Sequence, residues 1–173
     1  LIKTPGDTGR VRLLLARYPE ARFVYIHRDP FEVFHSNLYL WSVILREVSL
    51  QALAPEELEA VIVRSYRALI GSYLEARDEI PESQLTEIRF EDLRRDPIAT
   101  LEGVYGALDL GSFPREQLAA FVSGLPRYDQ PRYETSPALR ARLSRAWDFS
   151  FDTWPQTSDS NARPLSSRPT AGK

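Results

Sequence analysis

Residues 22–36, Arg-Phe-Val-Tyr-Ile-His-Arg-Asp-Pro-Phe-Glu-Val-Phe-His-Ser, decide how this chain is read. An apolar run of β type, Phe23 to Ile26, stops at Arg28-Asp29-Pro30, and a helical pattern follows at once. Proline suits the first turn of a helix, where its missing N–H is no loss. The stretch therefore predicts a strand, a tight turn and a helix N-terminus. Such an arrangement attracts anions through unpaired N–H groups and the helix dipole. Arg28 stands at the mouth of the turn and Ser36 about two helical turns along. A guanidinium and a hydroxyl so placed can hold one phosphate between them.

Working outward, the same alternation continues. Val11, Leu14 and Leu15 recur at helical spacing up to Tyr18, before Pro19-Glu20 breaks the run. The first helix of any length is expected from Pro30 to about Val48, and a second from Pro55 to Arg77 with Leu58, Val61, Ile62, Tyr66, Leu69, Ile70 and Tyr73 on one face. Leu85 to Phe90 reads as another strand. Asp96-Pro97 and Ser136-Pro137 are each a cap followed by proline, and so start helices. Pro114 to Val122 offers one more short helix, and Leu125 to Ser136 a loop. Strand–helix–strand in so short a space predicts an α/β fold with parallel strands and a crossover. Leu1-Ile2-Lys3 reads as the tail of a strand already in progress, so the chain is expected to be N-terminally incomplete. One α/β domain is expected over residues 1–154. A disordered tail rich in Pro, Ser and Thr is expected over 155–173.

Composition narrows the chemistry. With 43% apolar and 27% charged residues, the 173-residue chain suits one globular domain. A net charge of −2 gives no reason to expect nucleic acid or an anionic membrane as partner. Residues 1–30 nevertheless hold six Lys and Arg against three Asp and Glu, an excess that suits a small polyanion. The absence of cysteine excludes disulfides and thiolate chemistry, and two histidines make a zinc site a poor expectation. No apolar run reaches the length of a membrane span, and a cytoplasmic location is expected. Lys3, one of two lysines, sits where a strand end would project it into a ligand crevice. Asp7 is open to two readings, a general base or a cap on a helix beginning near Thr8. His27 and His35 are read as polar packing residues. Tyr39, Leu40, Trp41, Tyr66 and Tyr73 are expected chiefly in the core, with an apolar acceptor pocket as the alternative.

The strand–Arg–Asp–Pro–helix–Ser pattern, with Lys3-Thr4-Pro5 upstream and Phe90-Glu91-Asp92-Leu93 and Asp96-Pro97 downstream, resembles the sulfotransferases. The resemblance is to the bacterial-type branch that uses 3′-phosphoadenosine 5′-phosphosulfate (PAPS). It implies a P-loop-NTPase-like, three-layer parallel sheet flanked by helices, and sulfonate transfer to a small-molecule, lipid or carbohydrate hydroxyl. In that family Arg28 and Ser36 correspond to ligands of the 3′-phosphate, and Lys3 to a charge-balancing lysine. The position of the family's histidine base is held here by Asp7, a departure that leaves the base open. Arg132 lies in a region that reaches the cofactor in relatives. The Phe-Glu-Asp-Leu acidic pair is structural in the family, and the Trp147–Phe151 region packs on the core. The glycine-rich loop that holds the 5′-phosphosulfate, of Pro-Arg-Ser-Gly-Thr-Thr type, does not occur in this sequence. Two rival readings follow: a nucleotide-binding remnant without turnover, and a helical interaction module of the same fold.

Overall fold

The computed structural model describes residues 1–51, 53–126 and 133–155. Its centre is two parallel strands, β1 (Phe23–His27) and β2 (Leu85–Arg89), paired in register from Phe23↔Leu85 to His27↔Arg89. Alternation sends Phe23, Tyr25 and Leu85 to one face, where they pack with Val11, Ile70 and Tyr73. Those partners come from α1 (Val11–Arg17) and α3 (Pro55–Arg77), which therefore cover that face. Thr86 and Ile88 on the other face border a cavity of about 410 Å³. Its far side is Ala99, Thr100 and Gly103 of α5 (Pro97–Ala107). Val24 and Ile26 on this face are 43% and 47% exposed. The fold is thus mostly helical around a small parallel sheet, two-stranded among the described residues.

The long helix α2 (Pro30–Val48) carries a second core with α3 and α7 (Pro137–Ala146). Phe34, Leu143 and Trp147 are fully buried there, beside Phe31, Leu58 and Ile62. The Trp147 indole N–H donates to the Val63 carbonyl at 3.1 Å, so the polar edge of the ring is satisfied inside the core. Phe151, on α8 (Asp148–Thr153), packs against the same cluster, as the family resemblance implied. Trp154 closes the first core by stacking on Tyr25 and on His27.

Local chemistry sets the helix boundaries. The Asp96 carboxylate accepts from the Ala99 N–H at 3.0 Å, and the Ser136 hydroxyl from Leu139 at 3.2 Å. Glu57 accepts the Ala54 N–H at 3.0 Å, holding the start of α3. Phe90–Arg95 forms a short helix, α4, so β2 stops at Arg89 and the expected strand loses Phe90. After α5 the chain reverses through Gly111, whose φ of +84° is open to glycine without strain. It then enters α6 (Arg115–Ser123).

One further expectation changes. Leu1–Lys3 is not a strand: Leu1 and Ile2 are exposed, and these residues pair with neither strand. An extended segment counts as a strand only when another backbone satisfies its N–H and C=O groups. The chain from Pro5 to Arg10 instead forms a 3₁₀ segment against α3, close enough for the Ser72 hydroxyl to reach the Gly9 carbonyl at 3.4 Å. The expected tail lies beyond the described residues from 156 onward. Among the described residues no helix is long and apolar enough to cross a membrane.

Candidate functional site

Because β1 and β2 are level at His27↔Arg89, Arg28-Asp29 and Phe90-Glu91 leave the sheet side by side. The turn after β1 is tightly organised. The Asp29 carboxylate caps α2 by accepting from the N–H groups of Phe31 at 2.7 Å and Glu32 at 3.2 Å. Pro30 contributes no N–H, and the N–H of Asp29 itself donates to Glu91 at 3.3 Å. The expectation of unpaired N–H groups waiting for an anion is therefore corrected. Protein carboxylates already fill this helix N-terminus, so an anion must be held by side chains.

Those side chains lie in one row. Arg28, Glu32 and Ser36 are spaced four residues apart, which places Glu32 and Ser36 on one face of α2 with Arg28 at its head. The Arg28 guanidinium pairs with Glu32 at 3.2 Å and lies over the Phe90 ring, 4.9 Å from its centroid. It is about four-fifths buried, and its Nε has no hydrogen-bond partner. Glu32 was not singled out in the sequence, although its i+4 offset from Arg28 was a readable signal. Phe90 and Glu91 were assigned structural roles only. Their proximity to Arg28 depends on strand register across 62 residues.

The other sequence candidates lie elsewhere. Lys3 is exposed on the first coil segment, and Asp7 stands in the 3₁₀ segment, 3.8 Å from Arg10. Among the described residues no hydrogen bond or ion pair joins either one to Arg28 or Ser36. Asp7 does not cap by side chain: its backbone N–H donates to the Thr4 carbonyl at 3.2 Å, and Thr4 is the residue before the segment. Arg132 lies outside the described residues. The neighbouring Tyr133 stacks on His35, whose Nε2 also meets the Thr135 hydroxyl at 2.9 Å. The segment after Arg132 thus docks on α2 beside Ser36.

Both histidines hold their pKa below the ordinary 6.5. For His27 burial is the main cause, opposed by the negative charge of Glu87. For His35 burial again dominates, opposed by Glu32 and Glu59. A histidine lowered by folding binds fewer protons when folded than when unfolded. The stability this protects is complete above the unfolded value and is lost as pH falls through the folded one. We expect the melting temperature to drop between pH 7 and pH 5. The drop should shrink in His27→Phe, which keeps a ring on Trp154 but cannot titrate. An unchanged slope in that variant would remove His27 as the source.

Farther along α2 the surface becomes apolar. Leu40 and Val43, at i+4 and i+7 from Ser36, are 50% and 43% exposed, as are Tyr39 and Trp41 at 67% and 43%. Tyr66 and Tyr73 pack inside, whereas Tyr39, Leu40 and Trp41 do not, so the core expectation holds for only part of the set. Behind this stripe a groove of about 410 Å³ opens between the end of α2 and the start of α3. Leu38, Leu45, Leu53, Pro55 and Leu58 line it.

Comparisons with known proteins agree with this layout. A sequence model of the sulfotransferase family matches residues 1–114. The omega-hydroxy-beta-dihydromenaquinone-9 sulfotransferases Stf3 of Mycobacterium bovis and Mycobacterium tuberculosis are each 29% identical over 158 residues. Those alignments cover 89% of this chain and 40% of the relative. The crystal structure of sulfotransferase STF9 from Mycobacterium avium superposes with a TM-score of 0.76 at 20% identity, over 89% of this chain and 41% of that one. The chain spans about two fifths of the length of the proteins it matches. A family match across well over half of its residues, on a parallel sheet whose first strand is followed by Arg-Asp-Pro, makes this chain a member of the sulfotransferase family.

Proposed function

We propose that this chain supplies the 3′-phosphate grip and part of the acceptor surface of a PAPS-dependent sulfotransferase. The observation that carries the reading is the row Arg28–Glu32–Ser36 at the head of α2, with the guanidinium already oriented. Arg28 would take phosphate oxygens through charge-assisted N–H bonds, and Ser36 through its hydroxyl. Held this way, the donor is fixed for in-line attack, which is the larger part of what such a site contributes.

In the reaction, the acceptor oxygen forms a bond to sulfur while the bond from sulfur to the phosphate oxygen breaks. Adenosine 3′,5′-bisphosphate leaves, and the acceptor proton passes to a base. By family resemblance Lys3 would balance charge on the transferring group, and Asp7 would stand at the base position. Arg10 must then release the Asp7 carboxylate. The three-layer sheet of the family belongs to this proposal, and so does a cytoplasmic location.

The Stf3 relatives act, by name, on a hydroxylated menaquinone. A hydroxyl on an apolar, lipid-like molecule also suits this chain, because Leu40 and Val43 continue the Ser36 face and the α2–α3 groove sets Leu38, Leu45, Leu53 and Leu58 beside the polar Ser42, Arg46, Ser49 and Gln51. In an active enzyme, Leu45→Asp is expected to raise KM for a prenylated hydroxyl acceptor at least tenfold, with donor binding unchanged. Equal loss for a small water-soluble acceptor would sink the assignment of the groove.

Calorimetric titration of adenosine 3′,5′-bisphosphate and of adenosine 5′-phosphate into this chain tests the central claim. Preference for the bisphosphate supports a 3′-phosphate site. Absence of binding by the folded protein would leave the helical interaction module as the better description.

A further inference from the structure

We infer that Phe90 and Glu91 are positioning residues of the donor site, setting the direction of Arg28 from the neighbouring strand end. The inference rests on the proposed role of Arg28 and extends it to residues otherwise read as closing a strand. Parallel register brings the two dipeptides together: His27 pairs with Arg89, so residues 28–29 and 90–91 emerge at one level. Each dipeptide then touches the other twice.

The first contact fixes the root of the arginine. The N–H of Asp29 donates to Glu91 Oε1 at 3.3 Å, and this amide belongs to the peptide plane joining Arg28 to Asp29. The other amides of the turn are absent or satisfied, Pro30 having none and those of Phe31 and Glu32 being held by Asp29. Glu91 therefore decides how that one peptide plane is turned, and with it the direction in which the Arg28 side chain departs. The second contact fixes the tip. The guanidinium rests 4.9 Å from the Phe90 centroid, an attraction that strengthens as water is excluded. Glu32 holds one edge of the same group at 3.2 Å.

Closing the strand would not require these particular groups. The helix after β2 is only six residues, and the Glu91 side chain satisfies an amide of the other strand end. Its second oxygen, Oε2, is buried without a hydrogen bond, with Arg89 Nε 3.8 Å away. The side chain is one-third exposed, but a buried carboxylate oxygen without a hydrogen bond is still costly unless its position matters. A guanidinium held at root and tip loses little freedom when a phosphate arrives, so more of the contact appears as affinity.

The test uses the whole chain and two probes, adenosine 3′,5′-bisphosphate and adenosine 5′-phosphate, with thermal unfolding run in parallel. Glu91→Ala and Phe90→Leu should each weaken bisphosphate binding about fivefold or more and lower the preference for it over the monophosphate. Glu91→Gln keeps an acceptor for the Asp29 amide, and Phe90→Tyr keeps an aromatic face, so both should restore the preference. A general loosening of the fold would weaken both nucleotides alike and leave the ratio unmoved, which overturns the inference. Wild-type preference in a folded Phe90→Leu protein overturns it too, even where Glu91→Ala fails to fold. If wild type shows no preference for the bisphosphate, the donor-site reading itself fails and this inference with it. A preference lost in Arg28→Ala but kept in both Glu91→Ala and Phe90→Leu rejects the inference alone.

Discussion

Arg28→Ala is expected to weaken binding of adenosine 3′,5′-bisphosphate by about ten- to a hundredfold, equivalent to roughly 1.5–3 kcal/mol for a charge-assisted phosphate contact. Three features place the expectation there. The guanidinium is about four-fifths buried, so its field is poorly screened by water. It is pre-oriented on Phe90, so little side-chain entropy remains to be lost. Against this, Glu32 already engages Arg28 at 3.2 Å and stands between it and Ser36, so an incoming phosphate meets a like charge. Glu32→Gln relieves that repulsion and is expected to tighten binding severalfold in the same titration. Equal affinities in wild type and Arg28→Ala would reject the donor site at this end of α2.

Trp147→Ala is expected to cost about 3–5 kcal/mol of stability, by comparison with other buried tryptophan truncations. For a chain of this size that lowers the melting temperature on the order of 10 °C. The ring is fully buried and lies against Tyr66 at 4.2 Å and Phe34 at 6.1 Å. Its loss would leave a cavity among α2, α3 and α7 and remove the indole hydrogen bond that ties this segment to the Val63 carbonyl of α3. Trp147→Phe fills part of the space but loses the hydrogen bond to Val63, so an intermediate loss is expected. A change below about 1 kcal/mol in Trp147→Ala, measured by denaturant or heat, would show that this core does not depend on the indole.

The local half of the structure was open to a reader of the sequence. Asp96 and Ser136 cap the helices their positions suggested, because a cap is decided by a side chain and an amide three residues apart. The strand at 23–27 and the long helix at 30–48 were legible for the same reason. What the sequence obscured was set at long range. Apolar spacing marks Tyr39, Leu40 and Trp41 as readily as Ile62 and Ile70, and only the arrangement of neighbouring helices decides which stripe is covered. Leu1–Lys3 has strand composition but no strand beside it. In the candidate site Arg28 and Ser36 could be read from spacing, whereas Glu91 enters through an amide 62 residues away. The carboxylates that fill the α2 N-terminus were not expected, although Asp29-Pro30 has the same form as Asp96-Pro97; Glu91 was hidden by distance along the chain.

The placement of Trp147 has a consequence for synthesis. Its hydrogen-bond partner on α3, Val63, lies 84 residues upstream, and Phe34 on α2 lies farther still. Ribosomes add about 5–20 residues each second, so the helix pair exists for several seconds before the indole that seals it has been made. Throughout that interval Phe34, Leu58 and Ile62 face solvent or whatever else is near. The nascent protein is thus most vulnerable to association with other chains, and most dependent on chaperones, in the period just before residues 137–154 emerge.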